Sequence, residues 1–109
     1  MNSIEKKIIK LEEVSQKSGD SVVLCHGHFN IIHPGHIRYL EFAGQQGAKL
    51  MVSIRGDASF RNSDRKHHFS EAERAAGVAS LQTVDQVILL GEGNLDELIQ
   101  ALKPDFLVL

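Results

Sequence analysis

Two histidines stand three residues apart where an apolar run gives way to a helical pattern. They are His33 and His36, in the stretch His33-Pro34-Gly35-His36. Pro34 has no N–H and fits the first position of a helix. The N-terminus of a helix offers free N–H groups and the positive end of the helix dipole, which together favour phosphate. We therefore expect both imidazoles to lie at a helix N-terminus, where they can contact an anionic group.

Gly35 stands between the two histidines. A glycine has no side chain, so a phosphate could approach the backbone closely at this position. The pattern predicts an anion-binding helix start, with His33 and His36 as the side chains that do chemistry.

Strands and helices alternate along the chain around this stretch. Apolar runs predict strands at residues 21–25, 50–54, 86–90 and 106–109, and the motif helix should run from Pro34 to Ala43. Two more helices should begin at the capping residues Ser70 and Asn94. Continuously apolar strands indicate a parallel sheet covered on both faces.

Ahead of the first strand, a further helix is predicted from apolar residues at helical spacing. These residues are Ile4, Ile8, Leu11 and Val14. The resulting expectation is a single α/β domain over 1–109: a doubly wound parallel sheet in three layers, with an extra N-terminal helix.

Composition excludes several classes of protein. The chain has 109 residues and a formal net charge of -2, which argues against a nucleic-acid-binding surface. Cys25 is the only cysteine, so no intramolecular disulfide can form. No apolar run is long enough to cross a membrane, and the charged N-terminus lacks a signal-peptide core. We expect a cytoplasmic protein that binds neither nucleic acid nor membrane.

The stretch from Gly27 to His36 resembles the H-x-G-H signature of the cytidylyltransferase-like nucleotidyltransferases. That group includes glycerol-3-phosphate cytidylyltransferase and the adenylyltransferase domain of ADP-heptose synthase. Similar segments flank the stretch, so that almost the whole chain is covered: Asp57-Ala58-Ser59-Phe60-Arg61, Glu73-Arg74-Ala75 and Leu102-Lys103-Pro104-Asp105. The resemblance implies a Rossmann-like fold whose four predicted strands lie in the order 3-2-1-4.

The resemblance also implies an activity. Such an enzyme transfers CMP or AMP from CTP or ATP to a phosphorylated sugar or polyol and releases pyrophosphate, with Mg²⁺ bound to the triphosphate. His33 and His36 would be catalytic and would donate hydrogen bonds to the triphosphate. The nucleotide-binding residues implied by the match are Gly27, His28, Phe29, Asn30, Gly35 and Arg65.

A polar stretch between the second strand and the next helix carries the remaining candidates. The resemblance assigns Ser63 and Arg74 to the phosphate of the acceptor. Arg74 lies in the first turn of a helix, where a cation opposes the dipole and an anionic partner is therefore expected. Asp57 could contact a sugar hydroxyl or cap a turn.

Three positions depart from the family pattern and keep alternatives open. His28 replaces the usual Thr or Cys, and Asn30 replaces the usual Asp, which would weaken a contact with Mg²⁺. Ser63 stands where some members carry a lysine that holds the acceptor. One alternative is a non-catalytic nucleotide-binding module of the same fold. Another is a histidine-rich metal-binding domain built on His26, His28, His33 and His36, although we expect no metal site because the intervening loop is apolar.

The sequence pattern stops at the last predicted strand. The resemblance places a further helix start beyond it, so we expect residues 1–109 to lack the C-terminal part of the domain. A homodimer and a fused sugar-kinase domain are both compatible with the resemblance.

Overall fold

A computed structural model describes residues 3–57 and 69–109 of the chain. Its centre is a five-stranded parallel sheet with the order β1-β4-β3-β2-β5. The strands are β1 (Ile8–Lys10), β2 (Val22–Gly27), β3 (Lys49–Ile54), β4 (Gln86–Leu89) and β5 (Phe106–Val108). The described helices are α1 (Ser3–Lys6), a 3-10 turn (Leu11–Glu13), α2 (Pro34–Gly44), α3 (Glu71–Ala79) and α4 (Leu95–Leu102).

Helices cover both faces of the sheet and create two separate hydrophobic cores. Alternate residues of each strand point to opposite faces. In β2, Val23 and Cys25 pack with α2 and α3, whereas Val22 and Leu24 pack with α4. The four residues are buried, which confirms the prediction of a three-layer α/β domain from continuous apolar runs.

The prediction of a long N-terminal helix is wrong. Helix α1 ends at Lys6, and the next residues form β1 at the edge of the sheet. Ile8 pairs with Val87, and Ile9 pairs with Ile88. The two isoleucines pack into opposite cores, which a strand allows and a helical stripe does not. Helical spacing over so short a segment was a weaker signal than β-branched residues able to extend a parallel sheet.

The complete strand order also differs from the predicted 3-2-1-4. The four predicted strands are β2 to β5, and they lie side by side as β4-β3-β2-β5. The unpredicted strand β1 extends the sheet beyond β4. The chain therefore moves outwards from β2 through β3 to β4 and then returns to place β5 on the other side of β2. That reversal creates a crevice at the carboxyl ends of β2 and β5.

Side-chain caps start two helices where the sequence predicts them. Ser70 Oγ accepts a hydrogen bond from the Glu73 N–H at 3.2 Å, and Glu73 Oε1 accepts one from the Ser70 N–H at 3.1 Å. Asn94 Oδ1 accepts from the Glu97 N–H at 2.9 Å. These bonds satisfy backbone donors that the first helical turn leaves without partners.

In the described part of the chain, no helix has the length and apolar character needed to cross a membrane.

The loops that follow β3 and β4 touch through two glycines. A Cβ atom added at Gly56 would lie 1.8 Å from the carbonyl oxygen of Gly91. The backbone of Gly91 is itself held, because its N–H donates to Glu71 Oε2 at 2.8 Å. Only a residue without a side chain allows this close approach of the two loops.

Replacing Gly56 by alanine should therefore lower the free energy of unfolding by about 3 kcal/mol, because the backbone of Gly91 must move away. Gly77→Ala is the matched control. Gly77 lies inside α3, and an added Cβ would meet its nearest neighbour, Ile32, at an ordinary 3.9 Å. That variant should gain about 1 kcal/mol from helix propensity. Urea denaturation measures both changes, and equal effects of the two substitutions would contradict the packing at Gly56.

Candidate active site

The two motif histidines lie at the start of α2, as predicted. His33 is the residue that caps the helix, with extended backbone angles, and Pro34 occupies the first helical position. The two imidazole rings face each other with centroids 3.8 Å apart and planes inclined by 31°. The short run from the carboxyl end of β2 to Pro34 is what brings both rings to the crevice beside the sheet.

Hydrogen bonds with the backbone determine which nitrogen of each histidine carries the proton. His33 Nδ1 accepts from the Gly35 N–H at 3.0 Å, and His36 Nδ1 accepts from the His33 N–H at 3.3 Å. A backbone N–H can only donate, so both Nδ1 atoms are unprotonated. Each neutral ring therefore carries its proton on Nε2, which can donate to a phosphate oxygen.

His36 has a lowered pKa. Partial burial is the main cause, and the neighbouring His33 adds charge repulsion, while a hydrogen bond with the backbone of Ile31 acts in the opposite direction. The ring of Phe29 packs edge-on against His36 with centroids 5.3 Å apart. His36 is therefore held as a neutral hydrogen-bond donor in a defined orientation.

Gly35 is placed at the helix start, and the His33 ring lies over it. A Cβ at Gly35 would be 2.8 Å from His33 Cε1, and the Gly35 N–H is bound to His33 Nδ1. A phosphate could reach this N–H only after the His33 ring moves aside. In the described conformation the histidines themselves satisfy backbone donors at this helix start.

The motif loop, residues 28–33 between β2 and α2, has an unusual backbone conformation at Phe29. Its φ angle is +50°, in the left-handed region that residues other than glycine rarely adopt. Phe29 is buried, and a Cβ at Gly27 would be only 2.9 Å from its ring. Gly27 therefore leaves room for the Phe29 ring, and that ring in turn supports His36.

The predicted nucleotide-binding residues His28 and Asn30 are held by neighbouring segments. His28 Nε2 lies 2.8 Å from Arg55 Nη1 and accepts from it, because a guanidinium can only donate. Asn30 Oδ1 accepts from the Phe69 N–H at 2.7 Å. Asn30 thus forms a local bond that fastens the motif loop to the start of α3.

A cavity of about 640 Å³ opens at the motif loop. It includes His36 and four of the predicted nucleotide-binding residues. The described lining is His26, Gly27, His28, Phe29, Asn30, Ile31, His36, Tyr39 and Leu109. The structure thus brings four predicted nucleotide-binding residues and one of the two predicted catalytic histidines to one cavity, while the more exposed His33 lies next to it at the helix start.

Arg74 and Asp57 lie together, behind the motif loop. Arg74 Nη2 donates to Asp57 Oδ1 at 3.0 Å, and the Arg74 side chain is completely buried. The anionic partner expected for this cation is thus present within the chain. The predicted roles of Arg74 at an acceptor phosphate and of Asp57 at a sugar hydroxyl stay predictions. Arg65 and Ser63 lie outside the described residues.

Sequence reasoning missed His26 as a site residue and considered it only as a metal ligand. His26 Nδ1 lies 2.8 Å from Ser53 Oγ, and Ser53 Oγ donates to the Cys25 carbonyl at 3.3 Å. The hydroxyl therefore accepts from His26 Nδ1–H, which leaves His26 Nε2 as an acceptor. Its pKa is lowered by burial and by the neighbouring Arg55 and His28.

His26 also lines a second cavity of about 470 Å³, formed with Arg55 and the loop that precedes α4. The available signal was its position two residues before His28, because alternate residues of an extended segment lie on the same side. Within residues 3–57 and 69–109, no group of three or more His, Cys, Asp or Glu side chains is arranged to hold a metal ion.

Tyr39 lines the motif cavity but was not predicted as a site residue. It lies three residues after His36 and hence on the same face of α2. Its hydroxyl donates a hydrogen bond to the Val108 carbonyl of β5. Burial and the adjacent Cys25 raise the pKa of Tyr39, and burial raises the pKa of Cys25. Tyr39 therefore joins α2 to β5 on one side of the cavity.

Comparison with known proteins identifies the family. The family model described as "Cytidylyltransferase-like" matches residues 24–109. The chain belongs to the cytidylyltransferase-like family. This membership indicates a nucleotidyltransferase domain, in agreement with the resemblance found in the sequence.

Individual relatives agree with this assignment. The chain is 39% identical to the "Bifunctional protein HldE" of Helicobacter pylori strain J99 over 99% of its own length and 24% of that protein. It is 38% identical to the protein of the same name from Syntrophotalea carbinolica, over 88% of the chain and 20% of that protein. The chain thus spans about a quarter of these curated relatives, or less.

A solved structure is also similar to this cytidylyltransferase-like domain. It is described as a "lipopolysaccharide core biosynthesis protein from Thermoplasma volcanium GSS1". The TM-score is 0.73 and the sequence identity is 35%, with 82% of this chain and 73% of the other covered. The α/β architecture is therefore shared with a protein of known structure.

The lowered pKa values of His26 and His36 predict how stability depends on pH. Both lie below the ordinary value of 6.5 in the folded state, so below neutral pH the unfolded chain binds more protons than the folded one. The free energy of unfolding should therefore decrease as the pH falls through about 6.5.

Urea denaturation at intervals between pH 8 and pH 5 measures this dependence. His26→Asn keeps a donor near Ser53 Oγ but does not titrate, so it should reduce the slope. An unfolding free energy that rises towards pH 5, or a slope unchanged in His26→Asn, would contradict the assignment.

Proposed function

We propose that the protein is a nucleotidyltransferase that transfers CMP or AMP from CTP or ATP to a phosphorylated sugar or polyol. The observation that carries this proposal is the pair of histidines at the start of α2, beside a cavity at the carboxyl end of β2. The Nδ1 atom of each ring accepts from a backbone N–H, so Nε2 is the nitrogen that can donate. The family match over residues 24–109 supports the same class of reaction.

The reaction requires electrostatic assistance more than covalent chemistry by the protein. An oxygen of the acceptor phosphate attacks the α-phosphorus of the triphosphate and forms a new O–P bond. The bond from the α-phosphorus to the bridging oxygen breaks, and pyrophosphate leaves with that electron pair. Hydrogen bonds from His33 Nε2 and His36 Nε2 would stabilise the negative charge that grows on the phosphate oxygens.

Release of His33 from Gly35 would make this site more favourable for phosphate. The Gly35 N–H, now bound to His33 Nδ1, would then be free to bind the triphosphate at the positive end of the helix dipole. Exchange of an internal hydrogen bond for one to the ligand costs little, because a donor is satisfied in both states.

Mg²⁺ belongs to this proposal as part of the substrate complex. The described side chains that line the motif cavity include no carboxylate, and the amide oxygen of Asn30 is bound to the Phe69 N–H. The described lining of this cavity therefore offers no cage of protein ligands. It suits Mg²⁺ that is coordinated mainly by triphosphate oxygens and water, as is usual for this ion.

We infer that the acceptor is a sugar phosphate of the heptose type, with glycerol phosphate as the alternative. The solved relative is named a lipopolysaccharide core biosynthesis protein, which favours a sugar. His26 Nε2, as an acceptor, could receive a hydrogen bond from a hydroxyl group of a polyol. The curated relatives are named bifunctional, which is compatible with a second, fused domain. We include in the proposal the fused sugar kinase that the sequence resemblance implies, and a cytoplasmic location.

A non-catalytic nucleotide-binding module is the second candidate. The observation that favours it is Asn30, which stands where the family usually has an aspartate and bonds to Phe69 rather than facing a ligand. Such a module would bind the triphosphate without turning it over.

A pyrophosphate-release assay separates these candidates. CTP and ATP should each be combined, in the presence of Mg²⁺, with heptose phosphate, glycerol 3-phosphate and other polyol phosphates. We expect release that depends on one acceptor and on one of the two nucleotides. Triphosphate binding without release under any combination would support the non-catalytic module instead.

His36→Ala should lower kcat by about 100-fold, because one hydrogen-bond donor to the transition state is lost. The fold should persist, since His36 is only partly buried at the helix start. His36→Gln is a useful comparison, because its amide retains a donor. Wild-type turnover in His36→Ala, with circular dichroism unchanged, would remove His36 from the catalytic assignment.

A further inference from the structure

The side chain of Arg74 is a buried cation directly behind the motif loop. The residue is 2% exposed, and its guanidinium donates three described hydrogen bonds, each 3.0 Å long. Nε donates to the Phe69 carbonyl, Nη1 to the His28 carbonyl, and Nη2 to Asp57 Oδ1. Burial of a guanidinium is costly unless its nitrogens find acceptors, and these three acceptors give each of its nitrogens a partner.

These acceptors belong to three different segments. Asp57 follows β3, His28 lies in the motif loop, and Phe69 precedes α3. A further bond joins two of the same segments, because Asn30 Oδ1 accepts from the Phe69 N–H at 2.7 Å. The motif loop is therefore fastened to the start of α3 at two points, and Arg74 connects both to the end of β3.

We propose that Arg74 is a positioning residue for the motif loop. This inference rests on the proposed nucleotidyl transfer, because the motif loop carries the proposed nucleotide-binding residues His28, Phe29 and Asn30 and supports His36. Arg74 fixes the His28 carbonyl, and the next residue is Phe29, whose ring packs against His36. Arg74 acts on the reaction through this loop and does not itself contact the triphosphate.

Only arginine can make this arrangement. Its planar guanidinium presents donors in several fixed directions, whereas a lysine ammonium is a compact charge on a flexible stem and cannot reach all three acceptors. A cation in the first turn of α3 opposes the helix dipole, and the carboxylate of Asp57 compensates for that cost. The position thus combines a buried cation, its anion and two backbone carbonyls.

The positioning role and the acceptor-phosphate role predict different measurements. A residue that binds the acceptor phosphate would change the KM of the acceptor and leave triphosphate binding intact. A residue that shapes the motif loop would weaken triphosphate binding even when no acceptor is present.

The test is Arg74→Lys in the whole protein, with Arg38→Lys as the matched control. Arg38 is exposed on α2, away from the motif cavity. Isothermal titration with CTP or ATP, without acceptor, measures triphosphate affinity, and steady-state kinetics measure kcat and both KM values. We expect Arg74→Lys to lower kcat/KM for the nucleotide by about 100-fold, as misplacement of reacting groups by about 1 Å does, with the acceptor KM little changed.

Amide hydrogen exchange gives a readout that is independent of turnover. Exchange should become faster at residues 27–30 and 69–70 in Arg74→Lys, and the strands should keep wild-type protection. Asp57→Asn is the second variant. Asp57 has a half-exposed side chain, and asparagine retains an acceptor oxygen, so this variant should fold and show a smaller increase in the same two segments.

Wild-type exchange in these segments in both variants would overturn the proposal, and so would an effect confined to the acceptor KM. If Arg74→Lys does not fold, Asp57→Asn decides alone. If the wild-type protein shows no turnover, the proposed function fails, but the exchange measurement still determines whether Arg74 positions the loop.

Discussion

The structure depends on the burial of β2 from both sides and along both edges. Residues Val22–Cys25 are enclosed by the two hydrophobic cores, and β2 pairs with β3 on one edge and β5 on the other. Because every strand is parallel, the carboxyl ends of the strands meet at one edge of the sheet. Because β5 returns to the opposite side of β2, a crevice opens at that edge. The position of the candidate active site follows from this single strand.

The site is held together by its own hydrogen bonds in the described conformation. At the start of α2, backbone N–H groups that could bind phosphate donate to the imidazoles of His33 and His36. This arrangement avoids unsatisfied donors and also fixes the tautomer of each ring, so that Nε2 carries the proton. The cap of the helix and the candidate catalytic pair are therefore the same two side chains, and a ligand would compete with the cap for the Gly35 N–H.

Behind the site, a pair of opposite charges holds neighbouring segments in place. Arg74 and Asp57 form an ion pair whose cation is buried and whose carboxylate is half exposed. An isolated buried pair contributes little net stability, because desolvation offsets the attraction. Its backbone acceptors at His28 and Phe69 give this pair a geometric function, since they hold segments that are distant in the chain beside one another. Gly56 and Gly91 also hold two distant segments beside one another, because the loops that follow β3 and β4 meet there without room for a side chain.

The sequence by itself determined the local features of this protein. The apolar strands, the capping residues Ser70 and Asn94, and the helix start at Pro34 all depend on neighbours in the chain, and their patterns were sufficient. Tertiary structure decided what depends on distant partners. Ile8 and Ile9 form a strand because β4 offers an open edge. His26 lines the motif cavity, and Ser53 orients its ring. Arg74 forms an ion pair with Asp57, because the fold brings the end of β3 to the start of α3. No local pattern encodes these pairings, since each requires segments that come together only when the sheet forms.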